Sequence, residues 1–156
     1  MNLLAFQSLC RQVSQSLAAD DVDALGESRP TPIQGETFQL LWQPEGRSAV
    51  LLTYLGRVSD EHARQVYEQL LLVQLTGWDN PDLRFGFDPV TGQVLLCTRL
   101  PALGELEESA LTALLQRLLA QVQKWRGDLL QPAQMETPWA HFPDPDDAPS
   151  DRPTSA

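Results

Sequence analysis

The sequence predicts an α+β protein, a small antiparallel sheet flanked by three helices, and three observations carry that expectation. Residues 83–101 read as strand, turn and strand; a long apolar segment precedes them; a long amphipathic one follows. In the central hairpin Leu83, Phe85 and Phe87 alternate with Arg84, Gly86 and Asp88, the period of two that lays one face of a strand on a core. Asp88-Pro89-Val90-Thr91 has the chemistry of a type I turn. Asp at the first position bonds the backbone two residues on, and Pro at the second has φ already set. Gly92 follows where a positive φ is needed. Val94, Leu96, Thr98 and Leu100 then resume the alternation, while Leu95 and Cys97 make the opposite face half apolar.

Ahead of this hairpin, Phe6, Leu9, Cys10, Val13 and Leu17 recur at helical spacing, predicting a first helix over about residues 3–18. Residues 19–35 carry acids, two Gly and two Pro and read mainly as loop, with at most a short strand around residues 22–25. In residues 37–43, Phe38, Leu40 and Trp42 alternate with Gln39, Leu41 and Gln43. Pro44-Glu45-Gly46 supplies a turn, and residues 47–56 pair back with Val50, Leu52 and Tyr54 on one side and Ala49, Leu51, Thr53 and Leu55 on the other. Ser59-Asp60-Glu61 is a helix start, a hydroxyl cap followed by two carboxylates at the positive end of the dipole. This second helix runs to about Thr76, with Ala63, Val66, Tyr67 and Leu70 facing in. Its second half, residues 70–75, is apolar nearly all round. Leaving Leu71, Leu72 and Leu75 in water would forfeit roughly 1.5 to 3 kcal/mol per side chain, in sum comparable with a domain's net stability. A second partner surface is therefore expected.

The third helix opens on Glu105, Glu107 and Glu108, continues as a stripe of Leu111, Leu114, Leu115, Leu118, Leu119, Val122 and Trp125, and closes at Lys124, Arg126 and Gly127. After Leu130 the composition changes, because six of the twelve prolines fall in the last 25 residues. Residues 1–130 are thus expected to form one domain and residues 131–156 a Pro/Asp-rich disordered tail, in which Met135, Trp139 and Phe142 are the groups able to dock.

A length of 156 residues suits a single core without disulfides, and Cys10 and Cys97 are isolated thiols that read as small core hydrophobes. The net charge is -10, with 16 acids against 10 bases in residues 1–130 and 5 against 1 in the remainder. Such a chain repels phosphate backbones and anionic lipid surfaces, so neither nucleic acid nor membrane is expected as a partner. There is no 18-residue apolar run, and the first residues lack a signal-peptide pattern, which predicts a cytoplasmic protein.

The search for chemistry yields no GxxxxGK[ST], GxGxxG, GxSxG or HExxH pattern. His62 and His141 share no ligand spacing, and Glu105, Glu107 and Glu108 are accounted for by a solvated helix start. The tail acids Asp144, Asp146, Asp147 and Asp151 have nothing to fix a cation geometry. No catalytic residue, metal or cofactor is expected.

With a helix, short strands, a second helix apolar on two faces, the hairpin FGFDPVTGQVLLCTRLP and a Leu-rich last helix, residues 2–130 resemble the class I type III secretion chaperones of the CesT/SycE kind, the Tir chaperone family. The resemblance implies the order α-β-β-β-α-β-β-α, with the first strand inside residues 19–35, and a homodimer without enzymatic activity. It implies a chaperone in a Gram-negative cytoplasm that binds the N-terminal segment of a secreted effector in extended form and keeps it soluble and export-competent without ATP. The secretion-apparatus ATPase is a further candidate partner. Carried onto this sequence, the family's dimer interface falls on Val66, Leu70, Val73, Trp78, Leu83 and Phe85. Its effector contacts fall on Leu4, Phe6, Phe38, Leu40, Trp42, Leu52 and Tyr54. Against this stand two other readings, a non-catalytic α+β dimerisation or regulatory domain, which would lack affinity for an unfolded segment, and a small enzyme, which would need a pocket with a perturbed titratable group.

Overall fold

A computed structural model describes residues 2–44, 48–76, 83–100 and 106–130. Helix α1 (Leu3–Ser16) leads through a turn-rich loop to strands β1 (Thr31–Ile33), β2 (Glu36–Gln43) and β3 (Ser48–Arg57). Helix α2 (Ala63–Thr76), the hairpin β4 (Leu83–Asp88) and β5 (Gln93–Arg99), and helix α3 (Glu108–Leu130) complete the order. The five strands form one antiparallel sheet in the order β1-β2-β3-β5-β4. The expected α+β class and element order are those of the structure, and β1 is the short first strand.

Alternation along the strands decides which side chains meet the helices. Phe38 and Leu40 of β2, Leu51 and Leu55 of β3, and Val94 and Leu96 of β5 have almost no exposed surface. Onto them pack Phe6, Leu9, Cys10 and Val13 of α1, Val66 and Leu70 of α2, and Leu111, Leu115, Leu118 and Val122 of α3, in one core cluster. All three helices therefore lie on one face of the sheet. The Phe6 and Trp42 rings, 4.8 Å apart, join α1 to the end of β2.

The central hairpin turn forms as its residues dictate. The Asp88 carboxylate accepts from Val90 N–H (2.9 Å) and from the Thr91 hydroxyl (2.6 Å), while Gly92, at φ +68°, donates its N–H to the Asp88 carbonyl (2.8 Å). The bonds to the carboxylate, the Thr91 hydroxyl's foremost and then the Val90 N–H, hold the Asp88 carboxyl below the usual carboxylate range.

Three boundaries differ from expectation, each for a local reason. Residues 22–28 form turns, not a strand: Asp21 accepts from the N–H groups of Asp23 and Ala24, and Leu25 is inserted fully into the core. A Cβ at Gly26 would stand 3.1 Å from the Gln7 backbone, so a side chain there would push this loop a few tenths of an ångström off α1. Helix α1 ends at Ser16, two residues early. Ala19 N–H bonds the Ser14 carbonyl and Ala18 N–H that of Gln15, with Ala18 at φ 54°, a Schellman end in which alanine occupies the position glycine favours. Helix α2 starts at Ala63, after a turn in which His62 N–H donates to the Ser59 carbonyl.

Helix α3 runs through Gly127 to Leu130, because its last turn is anchored from the sheet. Between Tyr54 and Gly56 the register of β3 shifts, and the extra residue, Leu55, presents its carbonyl to Arg126 Nε at 2.6 Å. The same guanidinium grips Glu36 of β2 through both terminal nitrogens, at 2.5 and 3.3 Å. The Glu36 side chain is only 5% exposed. Arg126→Ala would leave that carboxylate desolvated without its partner, and urea unfolding is expected to show a loss of about 2–3 kcal/mol, while Arg64→Ala, which breaks the exposed pair with Glu68, leaves the midpoint unchanged. Ala18→Gly is expected to raise stability by about 0.5–1 kcal/mol by relieving the left-handed backbone of an L-residue.

Candidate functional site

The sheet face turned away from the helices is apolar at its centre. Leu41 lies opposite Val50, Leu52 opposite Cys97, and Tyr54 opposite Leu95, with Gly86 beside Leu95. All remain partly exposed, and none belongs to the core cluster. Polar groups frame them. Tyr54 Oη donates to Gln39 Oε1 (2.8 Å), and Gln39 Nε2 donates to the Ser28 carbonyl (2.8 Å). Partial burial, and secondarily the Asp88 charge, pushes the Tyr54 hydroxyl above its ordinary value, and burial likewise pushes the Cys97 thiol up. Three exposed arginines share the face by register: Arg57 opposite Gln93, Arg84 opposite Cys97, and Arg99 opposite Val50.

A second apolar surface lies at the β4 side. Leu71 and Leu75, one turn apart on α2, are 66% and 70% exposed and flank a shallow cleft with Gln74 and Arg84. Close by, Phe87, 49% exposed, meets Tyr67 edge-on at 5.7 Å. Gln74 Oε1 accepts from the Phe85 N–H at 3.0 Å, so α2 occupies a hydrogen-bonding position on the outer edge of β4. At the opposite edge β1 is three residues long and contains Pro32, which has no N–H to offer.

These placements divide the residues singled out from the sequence. Of the effector-contact set, Leu52 and Tyr54 stand together on the open sheet face, and Leu4, 75% exposed, lies at the start of α1 on the other side of the molecule. Phe6, Phe38 and Leu40 have no exposed surface, and Trp42 packs partly buried on Phe6, so these four are core residues in the single chain. Of the dimer set, Val66 and Leu70 point into the core, and Val73 and Phe85 pack partly buried against it. Leu83 lies on β4 opposite Thr98, and Trp78 falls outside the described residues. The surplus apolar side of α2 that the sequence implied is carried by Leu71 and Leu75. The arginine rim escaped the sequence reading, although Arg84, Cys97 and Arg99 alternate in phase with Leu95.

Cys10 is sealed in the core, where burial pushes its thiol up to about 12, and among the described residues no three His, Cys, Asp or Glu side chains gather as a cation site. Also among the described residues, no helix is long and apolar enough to cross a membrane. Three helices on one face of a five-stranded antiparallel sheet, with the other face left apolar, make a small α+β fold that is also found in solved structures of protein complexes. The chain resembles a chain of the ExsC-ExsE complex, with a TM-score of 0.62, 20% identity and coverage of 84% of this chain and 98% of that one. It also resembles a chain of the HopA1-SchA chaperone-effector complex, with a TM-score of 0.51, 18% identity and coverage of 81% and 94%. At these identities the likeness establishes the fold. No curated protein matches the sequence. The Tir chaperone protein (CesT) family model matches residues 32–126, and the chain belongs to that family.

The two strand alternations make a direct contrast in stability. Trp42→Glu places a carboxylate against Phe6 and is expected to cost about 3 kcal/mol or more, whereas Tyr54→Glu, on the open face, should cost less than about 1 kcal/mol. Urea denaturation of both variants checks this, and equal losses would contradict the placement.

Proposed function

We propose that this chain is a non-enzymatic chaperone that binds the N-terminal segment of a type III secreted effector in extended form and keeps it soluble and secretion-competent in the cytoplasm without ATP. The observation that carries the proposal is the uncovered apolar sheet face, on a chain of the Tir chaperone family. In an extended segment every second side chain points the same way, about 6.6–7 Å apart, the repeat of Leu52 and Tyr54 on β3. A segment lying across them would bury alternate apolar groups against Leu41, Val50 and Leu95. Leu4 offers a separate contact on the helical side. Affinity then comes from apolar area removed from water, with a negative heat-capacity change and no need of nucleotide or metal.

Leu52→Glu is expected to weaken binding of an effector's N-terminal segment at least about tenfold, or about 1.4 kcal/mol, with the fold retained. Calorimetry with chelator present and nucleotide absent measures it. If wild-type protein neither binds such segments nor keeps them from aggregating, the chaperone reading fails and a plain dimerisation domain takes its place.

The protein acts in this reading as a symmetric homodimer, and the interface is proposed at Leu71 and Leu75 of α2, whose exposure leaves roughly 1.5–3 kcal/mol per side chain to be gained by burial. Light scattering at micromolar concentration should give a dimer mass for wild type and a monomer mass for Leu71→Asp with Leu75→Asp. A monomeric wild type removes this part of the proposal.

A further inference from the structure

The open sheet face combines two properties that constrain its occupant. Its centre is apolar, and its rim is basic in a chain of net charge -10. Arg57 and Arg99 have no carboxylate partner among the described residues, while Arg11, Arg29, Arg64 and Arg126 all do. Asp88 shares the face, but its carboxylate is engaged by its own turn. A segment complementary to this surface carries aromatic side chains and carboxylates together.

One such segment follows the last described residue. Leu130 is buried, and its Cδ1 stands 3.4 Å from where a Cβ at Gly56 would lie, at the end of β3 immediately before Arg57. Beyond it come Glu136, Trp139 and Phe142, then Asp144, Asp146 and Asp147. From Leu130 to Trp139 an extended chain reaches about 30 Å, against a layer spacing of about 10 Å, so the tail can turn around the sheet end. The order also matches. Proceeding from Arg57, the face presents Tyr54 and Leu95, then Leu52 with Cys97 and Arg84, then Val50 and Arg99. In a polyproline II segment, which Pro138 and Pro143 favour, residues three apart share one side, so a segment entering at Arg57 meets that arginine with Glu136 and lays Trp139 and Phe142 on the apolar centre. Its aspartates then reach the Arg99 end of the face.

We propose that the segment containing Trp139, Phe142 and the following aspartates docks on the open face of its own sheet, covering it until another segment displaces it. Docking stands on the surface and the tail alone; competition with an effector segment rests in addition on the chaperone reading.

Cys97 in the middle of the face is a built-in reporter, because the other thiol, Cys10, is sealed in the core. In full-length protein the rate of Cys97 alkylation by iodoacetamide at mildly alkaline pH, read by peptide mass spectrometry, should follow the fraction of molecules with the face uncovered. Trp139→Ser with Phe142→Ser, and separately Asp144→Lys with Asp146→Lys and Asp147→Lys, should each raise that rate at least about fivefold. Salt at about 0.5 M should raise the wild-type rate as well, since the rim contacts are screened. The rates should not change with protein concentration. Equal rates in wild type and both variants would overturn the proposal, as would a wild-type rate that slows with rising protein concentration, which would make a second copy the occupant. Neither result requires an effector, so failure here leaves the chaperone reading to its own test.

Discussion

The structure depends on a mismatch: the sheet has two apolar faces, and the chain supplies helices for one. Strand β3, central in the sheet, shows it most plainly. Leu51, Thr53 and Leu55 are fully buried under the helices, whereas Val50, Leu52 and Tyr54 between them keep exposed surface. The side that the helices take is secured by one polar device. Arg126 ties the last turn of α3 to the Leu55 carbonyl, freed by the irregularity in β3, and to the buried Glu36 carboxylate of β2. With α3 held across that face, no described element remains for the other. At about 25 cal/mol per Å² of apolar surface removed from water, the uncovered side keeps a standing attraction for any segment able to lie along it.

How much of this was legible in the sequence follows from how one-sided each element is. The hairpin at Asp88–Gly92 was fully readable because its turn residues leave few alternatives, and α1 and the core stripe of α3 were readable because one face alone is apolar. Strand β3 was readable as a strand but not as an orientation. Leucines occupy both its alternations, so period two identifies two faces without saying which receives the helices; the missing information, the position of Arg126 against Glu36, is held 90 residues away in sequence. That is why Phe38, Leu40 and Trp42 entered the expected contact set and prove to be core. The two-sided half of α2 raised the same ambiguity. Its excess was visible in composition, but its direction was not: Leu70 and Val73 turn inward with Val66, and Leu71 and Leu75 stay exposed. Ends without a glycine signal were also missed, as at Ala18, where tertiary packing of Leu17 and Ala19 imposes a left-handed residue that the sequence disfavours.

The geometry also bears on where an extended segment can bind. Strand addition needs a free edge with donors and acceptors in register, and the two outermost strands offer little of one, β1 being three residues long with Pro32 and β4 having its Phe85 N–H taken by the Gln74 side chain. The broad face therefore offers more to an incoming chain than either outermost strand does. Apolar area sets how strongly that face holds a segment, but it discriminates poorly among sequences. Discrimination comes from the rim, where Arg57, Arg84 and Arg99 invert the sign of charge that dominates the rest of the chain. An acidic protein with a basic frame around the apolar side of its sheet repels anions in general, yet favours a segment whose carboxylates are spaced to follow its aromatic residues.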